Sequence, residues 1–264
     1  KDDLEKTVKI QLLQKQESEA TKKNQEYFLK LTEGQYQQQV KEKKEVEKRA
    51  AEIRARIFEL VGVARAPTFG EALDIAKYAA NLTGVRPAFL LAVLQQESAI
   101  GRNVGQCVLT NPQTGGGKRI STGAAEINVM KPSRDVAPFL KITGDLTKDP
   151  YNTPVSCRIP NVGGYGGAMG PAQFIPSTWV LYKERLAGLL GKEADPWNIK
   201  DAFLAAALYL SDYGAASKTR DGEWKSAMIY FSGSTKSKYS WYANNVLAIA
   251  DGFEEDIAVI EKSR

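Results

Sequence analysis

Histidine is absent from the 264 residues, and cysteine occurs only twice, at Cys107 and Cys157. Without histidine, neither a Ser-His-Asp or Cys-His nucleophile nor a zinc site of the usual His-containing kinds can be assembled. Two thiols are too few for a four-thiolate zinc or iron–sulfur centre. Any chemistry must rest on carboxylates, hydroxyls, amides, Tyr, Lys or Arg, and no metal or cofactor is expected. No run of 18 or more apolar residues occurs, so no membrane-spanning helix is expected. The chain starts at Lys1 with neither Met nor signal peptide. It reads as a mature or excised chain whose export signal is out of view. The net charge of +5 comes from interspersed residues of both signs, the pattern of a solvated surface. No nucleic-acid partner is expected.

The charge is unevenly spread. Residues 1–60 hold 14 Lys and Arg and 12 Asp and Glu, one glycine (Gly34) and no proline. They are rich in Lys, Glu, Gln and Ala, which favour helix. Val46, Ala50, Ile53, Ile57 and Leu60 recur at the alternating four and three spacing of a coiled-coil seam. Leu4, Val8 and Leu12 form a shorter stripe, as do Tyr27, Phe28 and Leu31. The reading is two helices, or one broken near Gly34, about 90 Å long if continuous. A seam of this kind must pair with something, so residues 1–60 suit a docking arm, although a passive spacer or half of a hairpin fits equally. Residues 1–62 are therefore expected to be a helical coiled-coil arm, 63–67 a hinge, and 68–264 a globular domain.

Within that domain Thr68 and Glu71 have the spacing of a capping box, starting a helix to about Leu82. Pro87 begins the next at the position where proline is tolerated. Further helices are expected from Ser177 to Leu190, from Asn198 to Gly214, near 223–231, and from Ser240 to Ile260. Residues 101–167 are rich in Gly, Pro, Asn and Thr and read as a loop region with a short hairpin at most. The fold class is all-α. Cys107 and Cys157 bracket this region. A disulfide between them would contribute roughly 4 kcal/mol by closing about 50 residues and would imply an oxidising compartment. Two unpaired thiols are the alternative.

One carboxylate stands out. From Pro87 to Ser98 the sequence is almost wholly apolar, and Leu90, Val93, Leu94 and Glu97 share one helical face. Burial and a helix C-terminus both disfavour the ionised form, so Glu97 is expected to have a raised pKa, as a general acid needs. The competing reading is a last helical turn that simply reaches solvent. A second signal is the glycine-rich run from Gly163 to Gly170, followed by Pro171-Ala172-Gln173-Phe174-Ile175-Pro176-Ser177. It is no phosphate loop, since no Gly-Lys-Ser/Thr follows. The stretch ending in Gly117-Lys118-Arg119 also fails, with Pro112 and Arg119 at obligatory positions.

Together, Glu97-Ser98 and the block Tyr165-Gly166-Gly167-Ala168-Met169-Gly170-Pro171-Ala172-Gln173-Phe174-Ile175-Pro176-Ser177 resemble the lytic murein transglycosylases. The likeness is to the membrane-bound transglycosylase B branch of that lysozyme-like superfamily. Asp201 to Leu210 and the stretch from Tyr230 to Leu247 fit the same pattern, so the resemblance covers roughly residues 68–253. It implies a lysozyme-like helical fold and cleavage of peptidoglycan glycan strands without a cofactor. Glu97 would protonate the bridging oxygen of the MurNAc–GlcNAc β-1,4 bond, then act as base on the MurNAc 6-hydroxyl to close a 1,6-anhydro ring. No second catalytic carboxylate is then required, unlike the two-carboxylate glycosidases. By the same resemblance Ser98 orients the site, Gln173 and the Met169–Gly170 backbone line the sugar groove, and Tyr230 and Tyr165 hydrogen-bond near Glu97. An extracytoplasmic location in a bacterial envelope follows. Two departures are visible: Gly164 replaces a frequent Ser, and Tyr230-Phe231-Ser232-Gly233 replaces Tyr-Asn-x-Gly. The arm, notably Ile53 to Leu60, resembles the coiled coil of murein hydrolase activators, which implies docking to a membrane division complex or partner helix. Two other functions compete. One is a goose-lysozyme-like hydrolase, with Glu126 or Asp135 activating water. The other is a non-catalytic peptidoglycan-binding scaffold or hydrolase activator.

Overall fold

The computed structural model describes Gln38, Lys41, residues 67–159 and residues 164–262. Gln38 and Lys41 are helical and exposed. Otherwise the expected arm and all of the hinge but Pro67 lie outside the described residues. Among the described residues are seven α-helices: α1 (Phe69–Thr83), α2 (Pro87–Ser98), α3 (Ala137–Asp145), α4 (Pro176–Leu190), α5 (Ile199–Asp212), α6 (Arg220–Ser232) and α7 (Ser240–Lys262). No helix among them is long and apolar enough to cross a membrane.

Helix α1 starts where the capping box predicts. The Glu71 N–H donates to Thr68 Oγ1 (3.3 Å), and the Thr68 N–H donates to Glu71 Oε2 (2.7 Å). Its buried face, Ala72, Leu73, Ala76 and Ala79, follows the helical period. Helix α2 is buried all round from Ala88 to Leu94, and α5 from Asp201 to Leu208. Helices apolar on every side belong inside a core. Accordingly α2 packs against α1, α5 and α7, while α6 packs against α5 and α7. Helix α6 begins at Arg220 rather than near 223. Thr219 caps it by accepting from the Gly222 N–H (3.2 Å), and Gly222 in the first turn obscures that start in the sequence.

An ion cluster ties the far end of α2 to these partners. Arg86, the residue before Pro87, donates to both oxygens of Glu223 on α6 (2.7 and 2.8 Å) and to Glu254 Oε2 on α7 (2.6 Å). The Glu223 side chain is almost fully buried.

Residues 101–167 depart from the loop expectation. They hold an antiparallel sheet ordered β1 (Cys107–Asn111), β2 (Gly116–Arg119), β3 (Ala125–Glu126), and after it a π-helical turn (Pro132–Val136) leading into α3. Strand β2 is Gly-Gly-Lys-Arg and lacks the alternation that marks a strand. Helix α3 has only nine residues and buries just Phe139, Ile142 and Thr143, too short a pattern to stand out.

Cys107 and Cys157 form a disulfide, with Cα atoms 5.1 Å apart. It fastens β1 to the segment before the glycine-rich run, beside the paired backbone bonds of Cys107 and Val155 (3.0 and 2.8 Å). Opening it is expected to lower stability by about 2–4 kcal/mol through the freed 50-residue loop. Urea unfolding with and without reductant measures this, with Cys107→Ser as a check. An unchanged midpoint would mean that the sheet alone holds the segment.

Candidate active site

Helix α2 ends abruptly after Ser98. Ala99, Ile100 and Gly101 are all left-handed, with φ of 51°, 55° and 80°. Positive φ is unfavourable for alanine and more so for β-branched isoleucine, and such strain tends to gather at functional sites. Ser98 holds the turn: buried, it accepts from the Gly101 N–H (2.8 Å) and donates to the Pro171 carbonyl (2.6 Å). Its hydroxyl is thus engaged within the protein, anchoring the end of the helix that carries Glu97 to the glycine-rich segment.

That segment is a tight turn closed by Met169 and Phe174, where the Met169 N–H donates to the Phe174 carbonyl (2.9 Å). Gly170 sits at φ 59° with no room for a side chain, since a Cβ would lie 1.9 Å from the Pro196 carbonyl oxygen. Gln173 is also left-handed (φ 53°), and its Nε2 donates to the Gly170 carbonyl (2.7 Å). The Met169 side chain is buried beneath the turn. Tyr230, from α6, donates to the Ala172 carbonyl (2.6 Å). Ser98 and Tyr230 therefore grip the adjacent carbonyls of Pro171 and Ala172. Phe174 anchors the turn below through edge contacts with Trp179, Tyr182, Tyr209 and Tyr230.

Glu97 is one residue before Ser98 and keeps part of its surface exposed. Its carboxyl is nonetheless set deep in protein, and burial pushes its pKa up to about 7. The hydrogen bond from the Tyr242 hydroxyl opposes that rise without cancelling it. Burial, and after it the charge of Glu97, hold the Tyr242 and Tyr230 hydroxyls well above their usual range, so both remain protonated donors. Sequence reasoning missed Tyr242. Its signal is a hydroxyl-bearing residue on the same buried stripe of α7 as Val246 and Ala250. Beside it, Asn245 donates to Gln96 Oε1, a second polar tie between α7 and the end of α2.

The other sequence candidates lie elsewhere. Tyr165 is exposed at the start of the glycine-rich segment, with no bond to Glu97 among the described residues. Glu126 is paired with Arg119 across the sheet (2.6 Å). Asp135 is fully buried, paired with Arg134 (2.6 Å), and accepts from the Ser177 N–H at the start of α4 (3.3 Å). Both candidate water-activating carboxylates are thus committed to arginines. Among the described residues no group of three metal-ligating side chains occurs.

No protein-family model and no curated protein matches the chain. Among solved structures the chain is similar to the Escherichia coli lytic transglycosylase Slt35 in complex with bulgecin A, at 23% identity and a TM-score of 0.39. That match covers 61% of this chain and 42% of the other. It is also similar to the soluble lytic transglycosylase SltB1 from Pseudomonas aeruginosa, at 22% identity and a TM-score of 0.38, over 55% of this chain and 44% of the other. The match thus spans less than half the length of either solved chain.

Proposed function

We propose that this protein is a peptidoglycan lytic transglycosylase with Glu97 as its single acid and base. The observation that carries this reading is the setting of Glu97, at the end of a buried apolar helix with its carboxyl accepting from Tyr242. Burial there pushes its pKa up to about 7, which suits one carboxyl to hold a proton at neutral pH, give it up, and take one back. Glu97 protonates the bridging oxygen of the MurNAc–GlcNAc β-1,4 bond as the bond breaks. The resulting carboxylate then takes the proton of the MurNAc 6-hydroxyl as that oxygen closes on C1. The product is a 1,6-anhydro sugar, and the acid is restored without water. Tyr242 steadies the ionised carboxylate between the two steps. The rigid turn around Gly170 and Gln173 forms part of the sugar groove, and Tyr230 fixes its backbone. The arm at residues 1–60 serves docking or regulation, toward a partner helix or a membrane division complex. The disulfide suits work outside the cytoplasm, in the cell envelope.

Digestion of purified peptidoglycan tests the reading. Anhydro-muropeptides in the mass spectrum are expected. Reducing ends in their place would favour the hydrolase, and retention of glycan with no release would favour the scaffold. The pH profile adds a second check. Glu97 must start protonated, so kcat/KM should fall about tenfold per pH unit above about 7. Tyr242→Phe removes a bond that favours the ionised form, so it should move that falling limb to higher pH. A limb that stays in place in this variant would separate Tyr242 from the acid.

A further inference from the structure

A cluster of aromatic rings runs from Glu97 to the surface. Tyr242 donates to Glu97 Oε1. Phe231 stacks on the Tyr242 ring, with centroids 4.6 Å apart and planes 18° apart. Trp241 stands nearly perpendicular to both, 5.2 Å from Phe231 and 5.9 Å from Tyr242. Tyr242 is buried, whereas Phe231 and Trp241 are 38% and 43% exposed. Tyr242 covers one face of Phe231, and Tyr239 meets the ring at 70° with centroids 5.7 Å apart, yet Phe231 stays part exposed. Phe231 is in the last turn of α6 and Trp241 in the first turn of α7. The corner between them is stiffened by Ser232. Its Oγ reaches the Met228 and Ser234 carbonyls (3.0 and 2.9 Å) and accepts from the Ser234 N–H (3.3 Å).

We infer that Phe231 and Trp241 form a stacking subsite for a pyranose ring of the glycan strand, beside the acid and continuous with it through Tyr242. Pyranose C–H groups present an apolar face that pairs with an aromatic ring, while the sugar's edge hydroxyls stay in water. Two exposed rings held at a fixed corner give up little entropy on binding. Both rings of the subsite touch Tyr242, which donates to Glu97, so a sugar held there lies beside the carboxyl. The subsite rests on the proposed glycan-cleaving function, and its test keeps the two apart.

The test uses the full chain and peptide-free glycan strands of alternating GlcNAc and MurNAc. Binding is measured on Glu97→Gln, which holds strands without turning them over, and on the same variant carrying Trp241→Ala, Phe231→Ala or Phe231→Tyr. Thermal melts accompany each protein. Trp241→Ala and Phe231→Ala should each weaken binding roughly tenfold, Phe231→Tyr should keep it, and the Trp241→Ala melt should remain cooperative. Undiminished binding in the folded Trp241→Ala and Phe231→Ala proteins would overturn the subsite and leave the cleavage reading standing. Binding that depends on Trp241 in a wild-type protein releasing no product would support the subsite and sink the enzyme reading. Absence of binding in every variant would overturn the subsite.

Discussion

Glu97→Gln is expected to lower release of soluble muropeptides by roughly 10²- to 10⁴-fold, the usual worth of a positioned general acid–base group. The effect should fall toward the upper end if, as proposed, one residue acts in both halves of the reaction. A folding defect is separable by its sign. The Glu97 pKa rises from 4.5 in the ordinary state to about 7 in the fold, so the native protein binds the extra proton between those values. Ionising Glu97 therefore costs stability as pH climbs through that window, up to about 3 kcal/mol above it. Glutamine escapes the cost. At pH 8 the variant should melt no lower than the wild type, and its advantage should vanish toward pH 4. An inactive variant that is also less stable at pH 8 would place Glu97 in a structural role.

Arg86→Ala is expected to destabilise the domain by about 3–5 kcal/mol, since it leaves the buried Glu223 carboxylate without its cation. Arg86 meets both oxygens of Glu223 and also reaches Glu254, so it joins α2, α6 and α7 at the end opposite the acid. Those are the helices that carry Glu97, Tyr230 and Tyr242. Arg86→Lys should recover only part of the loss, because an ammonium cannot reproduce the forked contact. Replacing Arg86 and Glu223 together by apolar residues should cost far less than Arg86→Ala alone. Chemical denaturation of the variants measures all three. A small effect of Arg86→Ala would mean that water reaches Glu223 readily.

What could be read directly in the sequence is what the local chain decides. The capping box at Thr68 and Glu71, Pro87 at the start of α2 and the apolar run behind Glu97 each act over a few residues, and each stands where expected. The sequence suggested a short hairpin at most, because Gly116 to Arg119 carries no side-chain period that reports a strand, and the Arg119–Glu126 pair forms only once β2 and β3 are side by side. Asp135 was a candidate to activate water, and only the fold buries it and brings the Ser177 N–H, 42 residues away, to its carboxylate. Tyr242 lies 145 residues from Glu97, and no spacing rule links them. The proposed acid, Glu97, was legible because its burial follows from its own helix. Of its surroundings, the turn at Gly170 and Tyr230 were reached only through the resemblance, and the α7 contacts from Tyr242 and Asn245 were not reached at all.

Digestion of peptidoglycan in oxygen-18-labelled water tests the central claim most directly. If the MurNAc 6-hydroxyl attacks C1, as proposed, the new ends carry the anhydro ring and no label. Label at C1 of the released sugars would show that water is the nucleophile and would contradict the account.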